Sequence, residues 1–253
     1  MKRLAVIGGG AWGTALASTA ARASAAVSLW ARDPAIVAAI AERHENPLYL
    51  PGIALDPRIA ATSDLEAAIG GAEAALIVVP AQYLRGVLER LMPMLPDAVP
   101  LLLCAKGIEA ESLKTMSEIA REMMPARPIA VLSGPSFAAE VARGLPTAVA
   151  VASHDDALAR AFVAALGNAR FRPYASSDPL GAELGGAVKN VLAIACGIID
   201  GRGLGDNARA ALVTRGLAEM VRLGLAKGAQ AETFRGLSGL GDLVLTCTGG
   251  QSR

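Results

Sequence analysis

The segment Leu4-Ala5-Val6-Ile7-Gly8-Gly9-Gly10-Ala11-Trp12-Gly13-Thr14-Ala15-Leu16-Ala17 constrains the fold more than any other stretch of the chain. Four β-type apolar residues lead into a glycine turn, and an alanine-rich run that favours helix follows. Gly8, Gly10 and Gly13 have the G-x-G-x-x-G spacing. In that pattern the first glycine permits the tight turn, the second lets a pyrophosphate approach the backbone, and the third lets the helix pack against the strand. The helix would also direct its unpaired first-turn amides at the phosphates. Gly8, Gly10, Ala11, Trp12 and Gly13 are therefore the candidate cradle for a dinucleotide. The alternative is a glycine turn in an unrelated α/β protein.

Met1-Lys2-Arg3, an apolar run and Ala23-Ser24-Ala25 imitate a secretory signal. Three consecutive glycines and Arg22 break the apolar core that such a signal needs. No uninterrupted apolar stretch reaches the ~18 residues of a membrane span. A cytoplasmic chain without membrane insertion is expected. The chain has 253 residues, of which 53% are hydrophobic and only 4% aromatic, so its core must be built from Ala, Leu and Val. A net charge of +1 gives no field to attract nucleic acid or an anionic membrane, and small-molecule partners are expected instead. Cys104, Cys196 and Cys247 are too scattered for a disulfide framework or a zinc site, and His44 and His154 lie far apart. Neither a metal site nor a histidine-based triad is expected.

Short β-type runs recur at residues 4–7, 27–30, 75–79, 100–104, 128–132 and 147–151, mostly with alanine-rich helical segments between them. That alternation predicts a parallel, doubly wound sheet. Asp33-Pro34 reads as a cap followed by proline at the first helical position, so a helix is predicted over 36–43. Residues 46–52 read as a turn-rich loop. After Asp178-Pro179 the pattern changes to two long helices, over 180–199 and 207–228. A dinucleotide-binding domain over 1–177 and an all-α domain over 178–253 are predicted.

In open α/β sheets ligands bind outside the carboxyl ends of the strands. Lys106 stands there, after the run Leu101-Leu102-Leu103-Cys104, and so does Ser133-Gly134-Pro135-Ser136-Phe137 after the next run. A solvated lysine and an ordinary turn are the plainer readings. Lys189 is the only charged residue between Glu183 and Asp200, and lysines are almost never buried without a purpose or a partner. Desolvation lowers a lysine's pKa and so prepares it for proton exchange near neutrality. Gly185, one turn away, would let a ligand lie against the helix; the alternative is a lysine that snorkels to solvent. Asp242 sits in a glycine-rich turn and is either a helix cap or, with Thr246 one turn on, part of a polar site. Ser252 and Arg253 suit an anionic phosphate.

Taken together, these residues resemble the bacterial-type NAD(P)-dependent glycerol-3-phosphate dehydrogenases over essentially the whole chain. The resemblance rests on residues 8–15, on Asn46 with residues 49–52, and on Ala105-Lys106-Gly107. It also rests on residues 133–138, 144–147, 185–190, 207–212, 214–216 and 239–248. It implies a Rossmann-type sheet followed by an all-α C-terminal domain, and reduction of dihydroxyacetone phosphate to sn-glycerol 3-phosphate for phospholipid synthesis. It assigns proton transfer to Lys189, contact with both substrate and cofactor to Lys106, and substrate contact to Gly134 and Ser136. Ala138 would touch the cofactor, and Asp242 and Thr246 would complete the polar wall around Lys189. Ser252 and Arg253 would hold the substrate phosphate, with Arg253 also near the cofactor.

At the end of the second predicted strand an acidic residue ordinarily accepts the ribose hydroxyls of NAD. Here Asp33 is better used as the cap before Pro34, which frees Arg32 to meet a 2′-phosphate or to stack on adenine. NADP(H) is expected to be preferred, with NAD(H) also accepted. Members of the resembled family continue beyond this point with further helices, so the chain is read as truncated after Arg253 and its helical domain as incomplete. Oligomeric state stays open, a homodimer included. Two other readings stay open as well: a different dehydrogenase of the hydroxyacid and phosphogluconate group, and a nucleotide-binding protein without catalysis.

Overall fold

The computed structural model describes residues 1–249. Its organising element is strand β1 (Arg3–Ile7), whose residues Leu4 to Ile7 are buried on both faces. Alternation along the strand divides them: Leu4 and Val6 enter one apolar cluster, Ala5 and Ile7 the other. The same division recurs in β6 (Ala74–Ile77), β7 (Leu101–Leu103) and β8 (Ile129–Ser133), so one sheet separates two cores. Strands buried in this way read as continuous apolar runs, which is why they are legible in the sequence.

One core is closed by α1 (Ala11–Arg22), α2 (Pro34–Arg43), α6 (Ala138–Arg143) and α7 (Asp156–Leu166). The other is closed by α3 (Leu65–Ile69), α4 (Leu84–Leu91), α5 (Met116–Met123) and the start of α8 (Pro179–Gly201). With β2 (Ala26–Trp30), β5 (Ile59–Thr62), β9 (Thr147–Ala152) and β10 (Phe171–Ser176), the eight-stranded sheet has the order β10-β9-β8-β7-β6-β1-β2-β5. The chain leaves β1 toward β2 on one side and returns to β6 on the other. That reversal places the ligand crevice outside the carboxyl ends of β1 and β6.

The predicted parallel sheet needs one correction: β9 is antiparallel to β8, and β10 follows β9. The connection from β8 to β9, residues 134–146, holds only the six-residue helix α6, and β9 returns beside β8 in the opposite sense. The stretch read as a loop at 46–52 contains a small hairpin, β3 (Glu45–Asn46) with β4 (Leu50–Ala54).

From residue 178 the described chain is helical. Asp178 caps α8, and its two oxygens accept from Gly181 N at 2.9 Å, Gln230 N at 2.9 Å and Thr233 Oγ1 at 2.6 Å. The cap therefore ties α8 to the entry of α10 (Ala231–Arg235). Helix α9 (Gly205–Ala226), a π-helical turn at Leu237–Gly241 and α11 (Asp242–Thr248) complete this region around a third core that includes Leu184, Met220, Phe234 and Leu243. By length and composition α8 could cross a membrane. It is interrupted by Lys189 and Asn190, and it packs on α9, α11 and β8.

Candidate active site

The turn between β1 and α1 uses its glycines for three separate reasons. Gly8 has φ +131°, and a Cβ there would lie 2.8 Å from the carbonyl oxygen of Val78, beyond β6. A Cβ on Gly13 would lie 1.7 Å from the carbonyl oxygen of Gly8, so only glycine lets α1 approach the strand this closely. Gly10 faces open space, with nothing within 4 Å of an added Cβ. Gly10 is also the N-cap of α1 and offers no side chain to the first-turn amides. Trp12, next in that turn, has a buried Nε1 with no hydrogen-bond partner among the described residues. An unpaired buried donor costs about 1–3 kcal/mol, so this edge of the cradle needs an acceptor. Open backbone amides, an uncapped helix and an orphaned donor fit an anionic dinucleotide.

Arg32 follows β2 at the same edge of the sheet; it is exposed and has no ion-pair partner among the described residues. The neighbouring Asp33 accepts from Ala35 N at 2.9 Å as the cap of α2, which leaves the arginine to face solvent or ligand.

Three strands along from β2, Lys106 follows β7. Its Nζ donates to the carbonyl oxygen of Gly134 at 2.8 Å and to Asp242 Oδ2 at 2.7 Å. Lys189, 8% exposed in the middle of α8, donates to the other oxygen, Asp242 Oδ1, at 2.6 Å and to Thr246 Oγ1 at 2.8 Å. One buried carboxylate thus holds two ammonium groups from different parts of the chain. Burial pulls the Lys106 ammonium down to about 8; the Asp242 carboxylate opposes the fall and the charge of Lys189 adds to it.

Local backbone explains how Asp242 arrives there. The π-helical turn at Leu237–Gly241 precedes it directly, and π turns change the direction in which the next residue projects. This turn is packed tightly: a Cβ on Gly239 would lie 2.1 Å from the carbonyl oxygen of Phe234, and one on Gly185 would lie 2.2 Å from that of Ser238. The glycine surface beside Lys189 is therefore filled by the chain itself rather than left for a ligand. Gly186 likewise packs on Ser133 Oγ and on the aliphatic stem of Lys106. Asp242 does not serve as a cap; its side chain is spent on the lysines, while its backbone oxygen accepts from Thr246 Oγ1 at 2.6 Å. Nor does Lys189 snorkel to solvent.

Gly134, with φ +137°, lets the chain turn over β9, and its carbonyl oxygen also accepts from Ser136 Oγ at 2.9 Å. Ala138 begins α6. Helix α8 is fastened to the sheet domain by Glu183, a buried carboxylate that accepts from Ser117 N at 2.7 Å and Ser117 Oγ at 2.6 Å. Burial pushes the Glu183 carboxyl up, and the Ser117 bonds oppose that. Sequence reasoning missed this tether; its only signal is a lone acidic residue early in an apolar helix. The three cysteines are free and buried. Burial pushes the Cys104 thiol up and the Cys247 thiol to about 12, which suppresses thiolate chemistry in both.

The structure therefore brings Lys106, Gly134, Ser136, Lys189, Asp242 and Thr246 into one cluster. Gly8, Gly10, Ala11, Trp12, Gly13 and Arg32 line the same carboxyl edge of the sheet. Ser252 and Arg253 lie outside the described residues.

Residues 3–159 match the family model for the NAD-dependent glycerol-3-phosphate dehydrogenase N-terminus, and residues 178–253 match that for the C-terminus. The chain is 62% identical over 250 residues to glycerol-3-phosphate dehydrogenase [NAD(P)+] of Rhodospirillum rubrum, covering 99% of this chain and 72% of that protein. The protein of the same name from Paramagnetospirillum magneticum is 59% identical over 253 residues, covering 100% of this chain and 92% of its own length. Among solved structures, glycerol-3-phosphate dehydrogenase of Coxiella burnetii superposes with a TM-score of 0.95 at 43% identity, covering 99% of this chain and 77% of that one.

Proposed function

Because the chain belongs to the NAD-dependent glycerol-3-phosphate dehydrogenase family, we propose that its two lysines, joined through Asp242, manage the proton that accompanies hydride transfer. The enzyme is an oxidoreductase that interconverts dihydroxyacetone phosphate and sn-glycerol 3-phosphate with NAD(P), and so supplies the glycerol backbone of phospholipids. Bound nicotinamide supplies or accepts the hydride at the carbonyl carbon.

Lys189 donates a proton to the ketone oxygen in the reducing direction and takes it back in the oxidising one. Asp242 and Thr246 hold its Nζ in place, so little reorganisation is needed when the substrate arrives. Lys106 faces substrate and cofactor together, and its lowered pKa leaves it able to exchange the proton with Lys189 through the shared carboxylate. Gly134 and Ser136 meet the substrate, and Ala138 the cofactor. The first-turn amides of α1 and the open backbone at Gly10 receive the diphosphate. The observation that carries this reading is the single buried carboxylate shared by two lysines at the carboxyl edge of a doubly wound sheet.

Arg32, exposed while Asp33 is occupied as a cap, supports preference for NADP(H) over NAD(H). We read residues 1–177 as the dinucleotide-binding unit and residues 178–253 as the unit that brings Lys189, in a protein that works in the cytoplasm without membrane insertion. The small-molecule substrate is its principal partner, and a homodimer is compatible with that arrangement. Absorbance at 340 nm, followed with NADPH and a panel of ketones, tests the activity. Dihydroxyacetone phosphate should be turned over fastest, and faster turnover of a non-phosphorylated keto acid would overturn the assignment.

A further inference from the structure

Asn46 is fully buried, a rare position for an amide, and it lies in a segment that reads as a turn-rich loop. Its side-chain hydrogen bonds reach the dinucleotide cradle. Nδ2 donates to the carbonyl oxygen of Gly9 at 3.0 Å, 37 residues away in sequence, and to Thr14 Oγ1 at 2.9 Å. Oδ1 accepts from Tyr49 N at 3.2 Å. One amide therefore joins the middle glycine of the turn, the first turn of α1 and the hairpin that follows α2.

The backbone goes out of its way to put the amide there. Helix α2 ends on His44 in the left-handed conformation, φ 52°, and the pairing of β3 with β4 is irregular between Glu45 and Asn46. A non-glycine residue in that conformation costs about 1–2 kcal/mol. Leu55 N, donating to His44 O at 2.7 Å, closes the excursion.

A trans peptide points its C=O and its N–H in opposite directions. Holding Gly9 O against Asn46 therefore aims the N–H of Gly10 away from Asn46, and Gly10 is the glycine that faces open space. Without such a restraint three consecutive glycines would keep much backbone freedom, and ordering each costs about 1–2 kcal/mol. We propose that Asn46 is a positioning residue for the cofactor: its amide fixes the Gly8–Gly10 turn in the diphosphate-receiving conformation before the dinucleotide binds. This rests on the dinucleotide reading of the turn given above.

The test uses the whole chain, with NADPH binding measured by titration calorimetry and NADPH kinetics measured with dihydroxyacetone phosphate. Asn46→Asp keeps the shape but sets a carboxylate oxygen against Gly9 O. It should raise the Kd and the KM for NADPH about tenfold, or about 1.4 kcal/mol, with kcat and the KM for the ketone within about twofold. Thr14→Val removes only the second acceptor and should shift the Kd in the same direction by a smaller factor; it decides the matter alone if the first variant does not fold. A merely structural role would lower the active fraction while leaving Kd and KM unchanged, and that result overturns the proposal. If the unaltered chain binds neither NADPH nor NADH, the dinucleotide reading itself fails.

Discussion

Replacing Asp242 by Asn removes one negative charge and almost no volume, so its effect isolates what the shared carboxylate does. Each ammonium touches one carboxylate oxygen, at 2.7 Å from Lys106 and 2.6 Å from Lys189. At an effective dielectric of ~20, unit charges about 4 Å apart interact by about 4 kcal/mol. Two such attractions would vanish and the repulsion between the lysines would stand unopposed. Removing one partner of a buried pair ordinarily costs about 3–5 kcal/mol. The loss is capped because Lys106 sheds its proton: its pKa, already down at about 8 because of burial, loses the support of Asp242 and falls further.

The sign of the pH dependence follows. A lysine whose folded pKa lies below its unfolded value of 10.5 makes stability rise with pH between the two values. In the unaltered chain that rise begins near pH 8, and in Asp242→Asn it begins lower. The destabilisation should therefore be largest near pH 6, at about 3 kcal/mol or more, and should shrink as pH approaches 8. Urea unfolding of both proteins across pH 6 to 8.5 measures it. A difference below about 1 kcal/mol, or one that does not change with pH, would refute the coupling of the lysines through Asp242.

Gly13→Ala pits helix propensity against space. Alanine favours helix over glycine by about 1 kcal/mol, but its Cβ would stand 1.7 Å from Gly8 O, which is backbone and cannot swing aside. A net loss of about 3 kcal/mol in chemical denaturation and loss of NADPH binding are expected; a more stable variant would show that the close approach is misread. Arg32→Ala should raise the KM for NADPH roughly tenfold, the worth of a charge-assisted hydrogen bond, and should change the KM for NADH far less. Equal changes would remove Arg32 from the 2′-phosphate.

The strands that were legible are those buried on both faces, such as Leu4 to Ile7, because continuous apolar runs carry their own signal. Ile59–Thr62 and Phe171–Ser176 escaped for the opposite reason. Both are edge strands, one only four residues long and the other interrupted by Pro173. Patterning singled out Lys106, Lys189 and Asp242 separately, since residues 53 and 136 positions from Asp242 cannot be joined by periodicity, and only the family resemblance set Asp242 and Thr246 beside Lys189. Their meeting depends on the π-helical turn and on Gly185 and Gly239 admitting backbone oxygens, contacts that exist only in three dimensions. Asn46 reads as a loop residue because Pro47, Pro51 and Gly52 mark turns around it, while its burial is set by the distant glycine turn.

In the proposed mechanism Lys189 transfers the proton while the glycine cradle holds the cofactor independently of it. Lys189→Ala, assayed for dihydroxyacetone phosphate-dependent NADPH oxidation and in parallel for NADPH affinity, tests that division most directly. Turnover should fall by at least 100-fold, the usual worth of a positioned acid-base group, with the NADPH Kd changed less than about threefold. Turnover close to that of the unaltered chain would remove Lys189 from proton transfer.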